Sequence, residues 1–297
     1  MMSERLSPLA TPSATREVLE AHGLATKHAL GQNFLVNDAI LGKIVELAAL
    51  SERDDVLEVG PGIGTLTIAL LKTSGRVVSV ERDTDLPAVL AETCAPWSDR
   101  FTLLNMDALD LQPEDLPYPP GKLVANLPYA VAATVVLDIF ERFESIQQAT
   151  VMVQAEVADR MAAQPGTKNY GAYTVKLRMF AQPAGRFSVS PGNFFPPPRV
   201  DSSVIRLDRV DCGLSPEERA AACLMADAAF ATRRKTIANS CKTFFGGRGA
   251  SGKAMLEALP RVLEDAGIDP KRRGESLALE EFKTLGRCAL PYTKVLQ

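Results

Sequence analysis

The sequence predicts an α/β fold in which a parallel sheet is covered by helices on both faces and is followed by a small domain of helices alone. Three observations predict it. From Asp54 short apolar runs alternate with stretches of helical period, a glycine loop from Glu58 to Gly64 follows the first of those runs, and after Asp211 only helical patterns remain. Strands alternating with helices of this length imply parallel pairing, since each crossover lays a helix over a face of the sheet.

Val56-Leu57-Glu58-Val59 is the first strand and leads to a helix at Leu66 to Leu71, and Val77 to Val80 leads to one at Leu86 to Ala91. Phe101 to Leu104 and Leu123 to Ala125 continue the rhythm, followed by a helix near Ala130 to Phe140, a strand at Ala149 to Val153 and a helix at Glu156 to Met161. Later strands are expected at Tyr173 to Phe180 and Val204 to Leu207, on either side of a connection, Pro191 to Pro198, whose closing prolines forbid helix. These elements make a Rossmann-like unit, assigned to residues 27–210. Helices at Pro216 to Phe230, Arg234 to Phe245, Lys253 to Asp265 and Leu277 to Cys288, with Gly246-Gly247 and Gly267 as stops, define a helical domain over residues 211–297. Residues 1–26 read as a partly flexible N-terminal extension, because Met1 to Thr15 is a loose lead-in rich in Ser, Pro and Thr.

A chain of 297 residues, 46% hydrophobic and 23% charged, can bury a full α/β core. No window approaches the roughly 18 consecutive apolar residues of a membrane span, and the first 30 residues lack the order of a secretory signal, so a cytoplasmic protein without membrane attachment is expected. Five scattered cysteines with no C-x-x-C pair indicate reduced thiols, with neither a disulfide framework nor a metal site. The two histidines, His22 and His28, lie upstream of the first main strand, which leaves the central domain without a triad or a histidine base. The net charge of −3 argues against nucleic-acid binding by the whole surface. Locally, however, Arg233, Arg234, Lys235, Lys242, Arg248 and Lys253 follow one another with no acid between Asp227 and Glu257, which fits a solvated helix face or a phosphate-binding one equally well.

The glycine loop follows a strand and opens a helix, where glycines let the backbone turn tightly and approach a ligand. Its spacing, Gly60-x-Gly62-x-Gly64, differs from the dinucleotide fingerprint and suits a cofactor with no pyrophosphate, which favours S-adenosylmethionine over NAD. Glu81 ends the second strand, where an acid can accept both ribose hydroxyls, and Asp107 follows the third, where it can receive an adenine amine. Either acid alone could be a helix cap. Three such features at successive strand ends point to one binding edge.

Asn126-Leu127-Pro128-Tyr129 ends the fourth strand at that same edge. An exocyclic amine on a nucleobase is a poor nucleophile because its lone pair is delocalised, and acceptors aimed at its protons favour the pyramidal geometry that frees it. Asn126 Oδ1 and the Leu127 carbonyl can supply two acceptors, Pro128 stiffens the turn, and Tyr129 offers a face on which a base can stack. No strong general base is needed, because the proton becomes acidic once the nitrogen is alkylated. Standing alone, the tetrapeptide would read as a plain turn.

Four segments in order, Leu30 to Leu35, Glu58 to Gly64, Asn126 to Tyr129 and Phe194 to Ser202, give the chain a resemblance to the ribosomal RNA adenine dimethyltransferases from about residue 24 to 290. The resemblance implies a class I methyltransferase sheet with a helical domain that meets rRNA. It implies that Asn33 and Leu35 join Gly60, Gly62, Gly64, Glu81, Asp107 and Asn126 around S-adenosylmethionine. Read from the residues alone, Gly31 to Asn37 is a loop before a helix capped by Asn37. The resemblance also implies that Phe194 holds the target base opposite Tyr129, whereas on sequence alone Phe194 is equally a core anchor. Arg199, Arg233, Arg234, Lys235 and Lys242 are the expected rRNA contacts, with Arg233-Arg234-Lys235 beginning a helix. The implied reaction dimethylates N6 of two adjacent adenines in small-subunit rRNA, within a partly assembled subunit, by a monomer that uses no metal. The chain departs from the family pattern in His28, where a second lysine is common, in the extension before Arg16, and in its more acidic total charge. The alternatives are a large-subunit rRNA methyltransferase of the antibiotic-resistance type, a non-catalytic assembly or transcription factor on the same fold, and an NAD-dependent oxidoreductase.

Overall fold

The computed structural model describes residues 5–27 and 31–293, so His28 and Leu30, named above, lie outside the described residues. The chain forms two compact units, residues 1–158 with 183–209 and residues 159–182 with 210–297.

The first unit is built on a seven-stranded sheet. Its strands are β2 (Asp55–Val59), β3 (Arg76–Glu81), β4 (Phe101–Asn105), β5 (Lys122–Asn126), β6 (Gln148–Gln154), β7 (Ala181–Val189) and β9 (Ser202–Arg209), in the order β4-β3-β2-β5-β6-β9-β7. The pairs β2/β3, β3/β4, β2/β5 and β5/β6 are parallel, and β9 runs antiparallel to β6. The expected parallel sheet is thus a mixed one. Val56, Val77, Val124, Met152 and Val204 point into one core with helices α1 (Pro12–Ala21), α2 (Asp38–Leu47), α3 (Thr65–Thr73) and α4 (Leu86–Thr93). Their strand neighbours Leu57, Val78, Leu123, Val151 and Ile205 are equally buried, so the central strands are covered on both faces and read as mainly apolar runs. Between β5 and β6 lies α5 (Ala132–Arg142), and α6 (Ala155–Ala162) follows β6 directly.

Three expectations are corrected. Residues 5–21 are not a loose lead-in: Leu9, Ala10 and Leu19 are buried in the main core, and the Ser7 amide donates to Asp38 Oδ1 at 3.0 Å. The same Ser/Thr/Pro composition is a helix start, since Thr11 Oγ1 accepts from the Ala14 amide at 3.2 Å and Pro12 takes the first helical turn. Tyr173 to Phe180, expected as a strand, is largely the helix α7 (Ala172–Arg178), and the strand lies just beyond it as β7. A short apolar run has no period long enough to separate the two states. Arg233-Arg234-Lys235 forms a turn, and α9 (Ile237–Phe245) begins only after Thr236, whose hydroxyl accepts from the Asn239 amide at 3.4 Å.

A two-residue strand, β1 (Phe34–Leu35), pairs antiparallel with β8 (Phe194–Phe195). Asn37 then caps α2 as expected, its Oδ1 accepting from the Ala39 amide at 2.9 Å.

The second unit holds α7, α8 (Pro216–Phe230), α9, α10 (Gly249–Asp265) and α11 (Leu279–Thr293). Ser215 and Glu218 form a capping box at the start of α8, and buried Ala221, Ala222, Ala226 and Ala229 give that helix a small-residue face against which α11 packs. Residues 159–182 belong to this unit, so the division drawn near residue 211 from sequence does not follow the observed one. The reason is α7, which as a helix packs on α8, whereas a strand there would have belonged to the sheet.

Among the described residues no helix is long and apolar enough to cross a membrane, and no group of three or more His, Cys, Asp or Glu is placed to hold a metal. None of the five cysteines is disulfide-bonded.

Candidate active site

The strand order reverses at β2, which has β3 on one side and β5 on the other. A crevice opens at such a point beyond the carboxyl ends of the strands. Two adjoining cavities lie there, of about 700 and about 1190 Å³ including their open mouths. Gly31, Gly60, Glu81, Pro128 and Tyr129 line both, which makes them one cleft.

The glycine loop forms its floor. Gly60, Gly62 and Gly64 have φ of +73°, +60° and +93°, a left-handed region that costs a residue with a Cβ roughly 1–2 kcal/mol. At Gly62 space is lacking as well: a Cβ there would stand 2.9 Å from Phe34 Cε1. Gly60 and Gly62 line the cleft, while Gly64 serves as the N-cap of α3 behind it.

Two carboxylates belong to this loop and its neighbour. Glu58 is wholly buried, and its Oε2 accepts from Thr67 Oγ1 at 2.8 Å and Ser79 Oγ at 2.7 Å while Oε1 has no partner. Burial lifts its pKa to about 7 against the pull of the two hydroxyls, with nearby Glu81 pushing the same way as burial. Glu81 lines the cleft, and its Oε1 accepts from the Asp83 amide at 2.7 Å. Burial also raises its pKa, opposed by the amides of Asp83, Gly62 and Arg82.

Asp107 lines the larger cavity beside Met106 and Ala108. Its Oδ1 accepts from the Leu109 amide at 3.0 Å, and its Oδ2 faces the Arg82 guanidinium at 3.2 Å.

At the end of β5, Asn126 Nδ2 donates to the Asn33 carbonyl at 3.1 Å, which turns the donor end of the amide toward the backbone and leaves Oδ1 as the acceptor for a ligand. The Leu127 amide donates to the Met152 carbonyl at 3.1 Å, and the Pro128 carbonyl accepts from Val131 at 3.2 Å and Ala132 at 3.1 Å, so both ends of the tetrapeptide are fixed. Tyr129 is half-buried, and its hydroxyl lies 2.6 Å from Ser202 Oγ. Burial raises the pKa of its phenol, with the Ser202 bond acting the other way.

Asn33, Leu35, Gly60, Gly62, Glu81, Asp107, Asn126, Leu127, Pro128 and Tyr129 therefore meet in one cleft. Phe194 does not. It is 4% exposed, sits in the main core, pairs with Leu35 and is not among the residues lining the two cavities, which fits a core anchor. The basic residues are exposed, Arg199 in the first unit and Arg233, Arg234, Lys235 and Lys242 in the second. Arg233 donates to the Lys168 carbonyl.

A hub that sequence reading missed ties the cleft together. Asp83, buried, accepts from Lys27 Nζ at 2.6 Å, Gln32 Nε2 at 2.8 Å and the Asp85 amide at 3.1 Å, and its own amide holds Glu81. Burial pushes its pKa up, but those donors outweigh it and hold the carboxyl below its ordinary range. Its only signals in the sequence are an acid two positions after Glu81 and a glutamine inside the Leu30 to Leu35 segment.

A glycine loop at the switch point of this seven-stranded sheet, with its antiparallel strand β9 and an Asn-Leu-Pro-Tyr at the end of the adjoining strand, defines a class I methyltransferase. The sequence pattern of the family described as Ribosomal RNA adenine dimethylase matches residues 23–285, and the chain belongs to that family. It is 39% identical over 284 residues to a Geobacillus sp. (strain WCH70) protein named Ribosomal RNA small subunit methyltransferase A, covering 93% of this chain and 96% of that one. It is 41% identical over 281 residues to the protein of the same name from Rhodococcus opacus (strain B4), covering 92% of each. Among solved structures, a dimethyladenosine transferase from Plasmodium falciparum has the same fold, with a TM-score of 0.71 at 23% identity over 85% of this chain and 95% of that one. The 23S rRNA methyltransferase ErmE follows with a TM-score of 0.63 at 25% identity, covering 86% of this chain and 99% of that one.

Proposed function

We propose that this enzyme dimethylates N6 of two adjacent adenines in small-subunit rRNA, with S-adenosylmethionine as methyl donor. It would act as a cytoplasmic monomer on a partly assembled subunit. The observation that carries the reading is Asn126, whose amide is oriented by Asn33 so that an acceptor faces the cleft beside Tyr129.

The residues present suit that donor. Left-handed glycines let the backbone approach a ligand, and Glu81, with one oxygen held by the Asp83 amide, is a fixed carboxylate for ribose hydroxyls. Asn33, Leu35, Gly60, Gly62, Glu81, Asp107 and Asn126 would hold it. When bound, it supplies a sulfonium-activated methyl group and a neutral thioether leaving group.

Asn126 Oδ1 and the Leu127 carbonyl accept from the protons of the exocyclic amine and favour a pyramidal nitrogen. Tyr129 stacks on the base, an interaction worth about 1–3 kcal/mol. Among the described residues lining the cleft there is no histidine or lysine, and none is required, since the nitrogen becomes acidic on alkylation. Rate then comes from positioning and preset dipoles. Arg199, Arg233, Arg234, Lys235 and Lys242 would contact phosphates, which orients the enzyme without reading bases.

Tritiated donor and isolated ribosomal particles test the reading. Label is expected in small-subunit RNA, and label confined to large-subunit RNA would overturn it in favour of the resistance-type activity. Asn126→Ala should abolish transfer while leaving particle binding intact; an active Asn126→Ala enzyme would defeat the mechanism.

A further inference from the structure

We propose that Ser202 is a positioning residue for methyl transfer, holding the Tyr129 ring at the place where the acceptor base stacks. The proposal rests on the reading of Tyr129 as that platform. Ser202 has no accessible surface, and its Oγ lies 2.6 Å from the Tyr129 hydroxyl. It is the first residue of β9 and pairs in register with Gln154 of β6, while the preceding Asp201 carbonyl accepts from the Ala155 amide at 2.9 Å. The start of β9 is therefore fixed to the end of β6.

Tyr129 leaves from the end of β5, whose Asn126 is in register with Met152 of β6. Its hydroxyl reaches β9, the strand on the far side of β6. With neighbouring strands about 4.8 Å apart, the ring spans the carboxyl end of β6 and is anchored at both ends, by Pro128 at the backbone and by Ser202 at the hydroxyl. A tyrosine held only at its Cα swings its hydroxyl by turning about χ1, whereas a second anchor on a separate strand removes that swing and fixes where the ring lies. Gln154, between the two anchors, lines the same cavity as Tyr129.

The bond could instead serve stability alone, as the mutual satisfaction of two buried hydroxyls. The two roles differ in what they change. If Ser202 orients the ring, its loss lowers turnover on bound substrate without weakening particle binding by the basic surface or cofactor binding by the glycine loop.

The test compares Ser202→Ala, Ser202→Thr, Tyr129→Phe and the double variant Ser202→Ala/Tyr129→Phe on isolated small-subunit particles. Ser202→Ala and Tyr129→Phe should each lower kcat about tenfold through loss of orientation, and the double variant should be no worse than either. KM for particles and the calorimetric affinity for S-adenosylhomocysteine should stay at wild-type values, and Ser202→Thr should recover most of kcat. Wild-type kcat in Ser202→Ala, or additive losses in the double variant, would overturn the proposal. Should Ser202→Ala fail to fold, wild-type kcat in Tyr129→Phe overturns it equally. Tyr129→Ala separates the two readings: if it stays fully active, the platform itself is wrong, and if it is inactive while Ser202→Ala is not, only the role of Ser202 falls.

Discussion

Replacing Glu58 by glutamine should remove a large part of the pH dependence of stability between mildly acidic and neutral pH. Glu58 is fully buried, two hydroxyls donate to Oε2, Oε1 has no partner, and burial lifts the carboxyl from 4.5 to about 7. Because the folded pKa is raised, the native state holds a proton that the unfolded chain has already released. The contribution of Glu58 to stability is thus complete below 4.5 and is lost as pH rises through about 7. The gap between those values, at roughly 1.4 kcal/mol per pH unit, amounts to about 3 kcal/mol. Glutamine keeps an acceptor for Thr67 and Ser79 but cannot ionise, so it lacks this slope. Urea unfolding of wild type and Glu58→Gln at about pH 5 and about pH 8 measures the difference. Over that interval wild type should lose about 2 to 3 kcal/mol more than the variant. The burial of Glu81 adds a slope of the same sign to both proteins. Parallel stability curves would refute the reasoning, since they would mean that Glu58 titrates in the native state much as it does unfolded.

Glu81→Ala removes the carboxylate proposed to hold the ribose, and calorimetry should find the affinity for S-adenosylhomocysteine reduced about 10- to 100-fold, the worth of hydrogen bonds to a charged group. Unchanged affinity would exclude Glu81 from the cofactor site. Gly62→Ala must hold a left-handed φ of +60° and push a Cβ to 2.9 Å from Phe34 Cε1. Its Tm should fall by several degrees together with cofactor affinity, and a Tm equal to wild type would show that the loop relaxes freely. Replacing Arg233, Arg234 and Lys235 together by alanine should weaken particle binding and flatten its dependence on log salt by roughly 0.7 to 0.9 for each phosphate that is no longer neutralised, with S-adenosylhomocysteine affinity unchanged. An unaltered salt slope would place the RNA contacts elsewhere.

The order of strands and helices around the cofactor edge was legible in the chain itself. The central strands β2, β3, β5 and β6 are mainly apolar and buried on both sides, and each of Gly60, Glu81, Asp107 and Asn126 stands at or just beyond a strand end, so local pattern and the proposed site coincide. Legibility ended where a residue's state is set by distant partners. Tyr173 to Phe180 is apolar enough for either a strand or a helix, and packing on α8 decides for helix. Met1 to Thr15 looks loose by composition, yet the part of it from residue 5 onward is held by Asp38 and by apolar side chains from several helices.

Which groups touch was settled only in three dimensions. The pairing of Phe34-Leu35 with Phe194-Phe195 joins residues some 160 positions apart through two-residue strands, which leave no periodic trace. The folded chain likewise buries Phe194, links Lys27 and Gln32 to Glu81 through Asp83, and brings Ser202 to Tyr129 across β6. Periodicity records which face of an element is apolar, because burial acts on each residue in turn. A hydrogen bond between side chains of separate strands depends on register and direction in space, and those arise only once the sheet has formed.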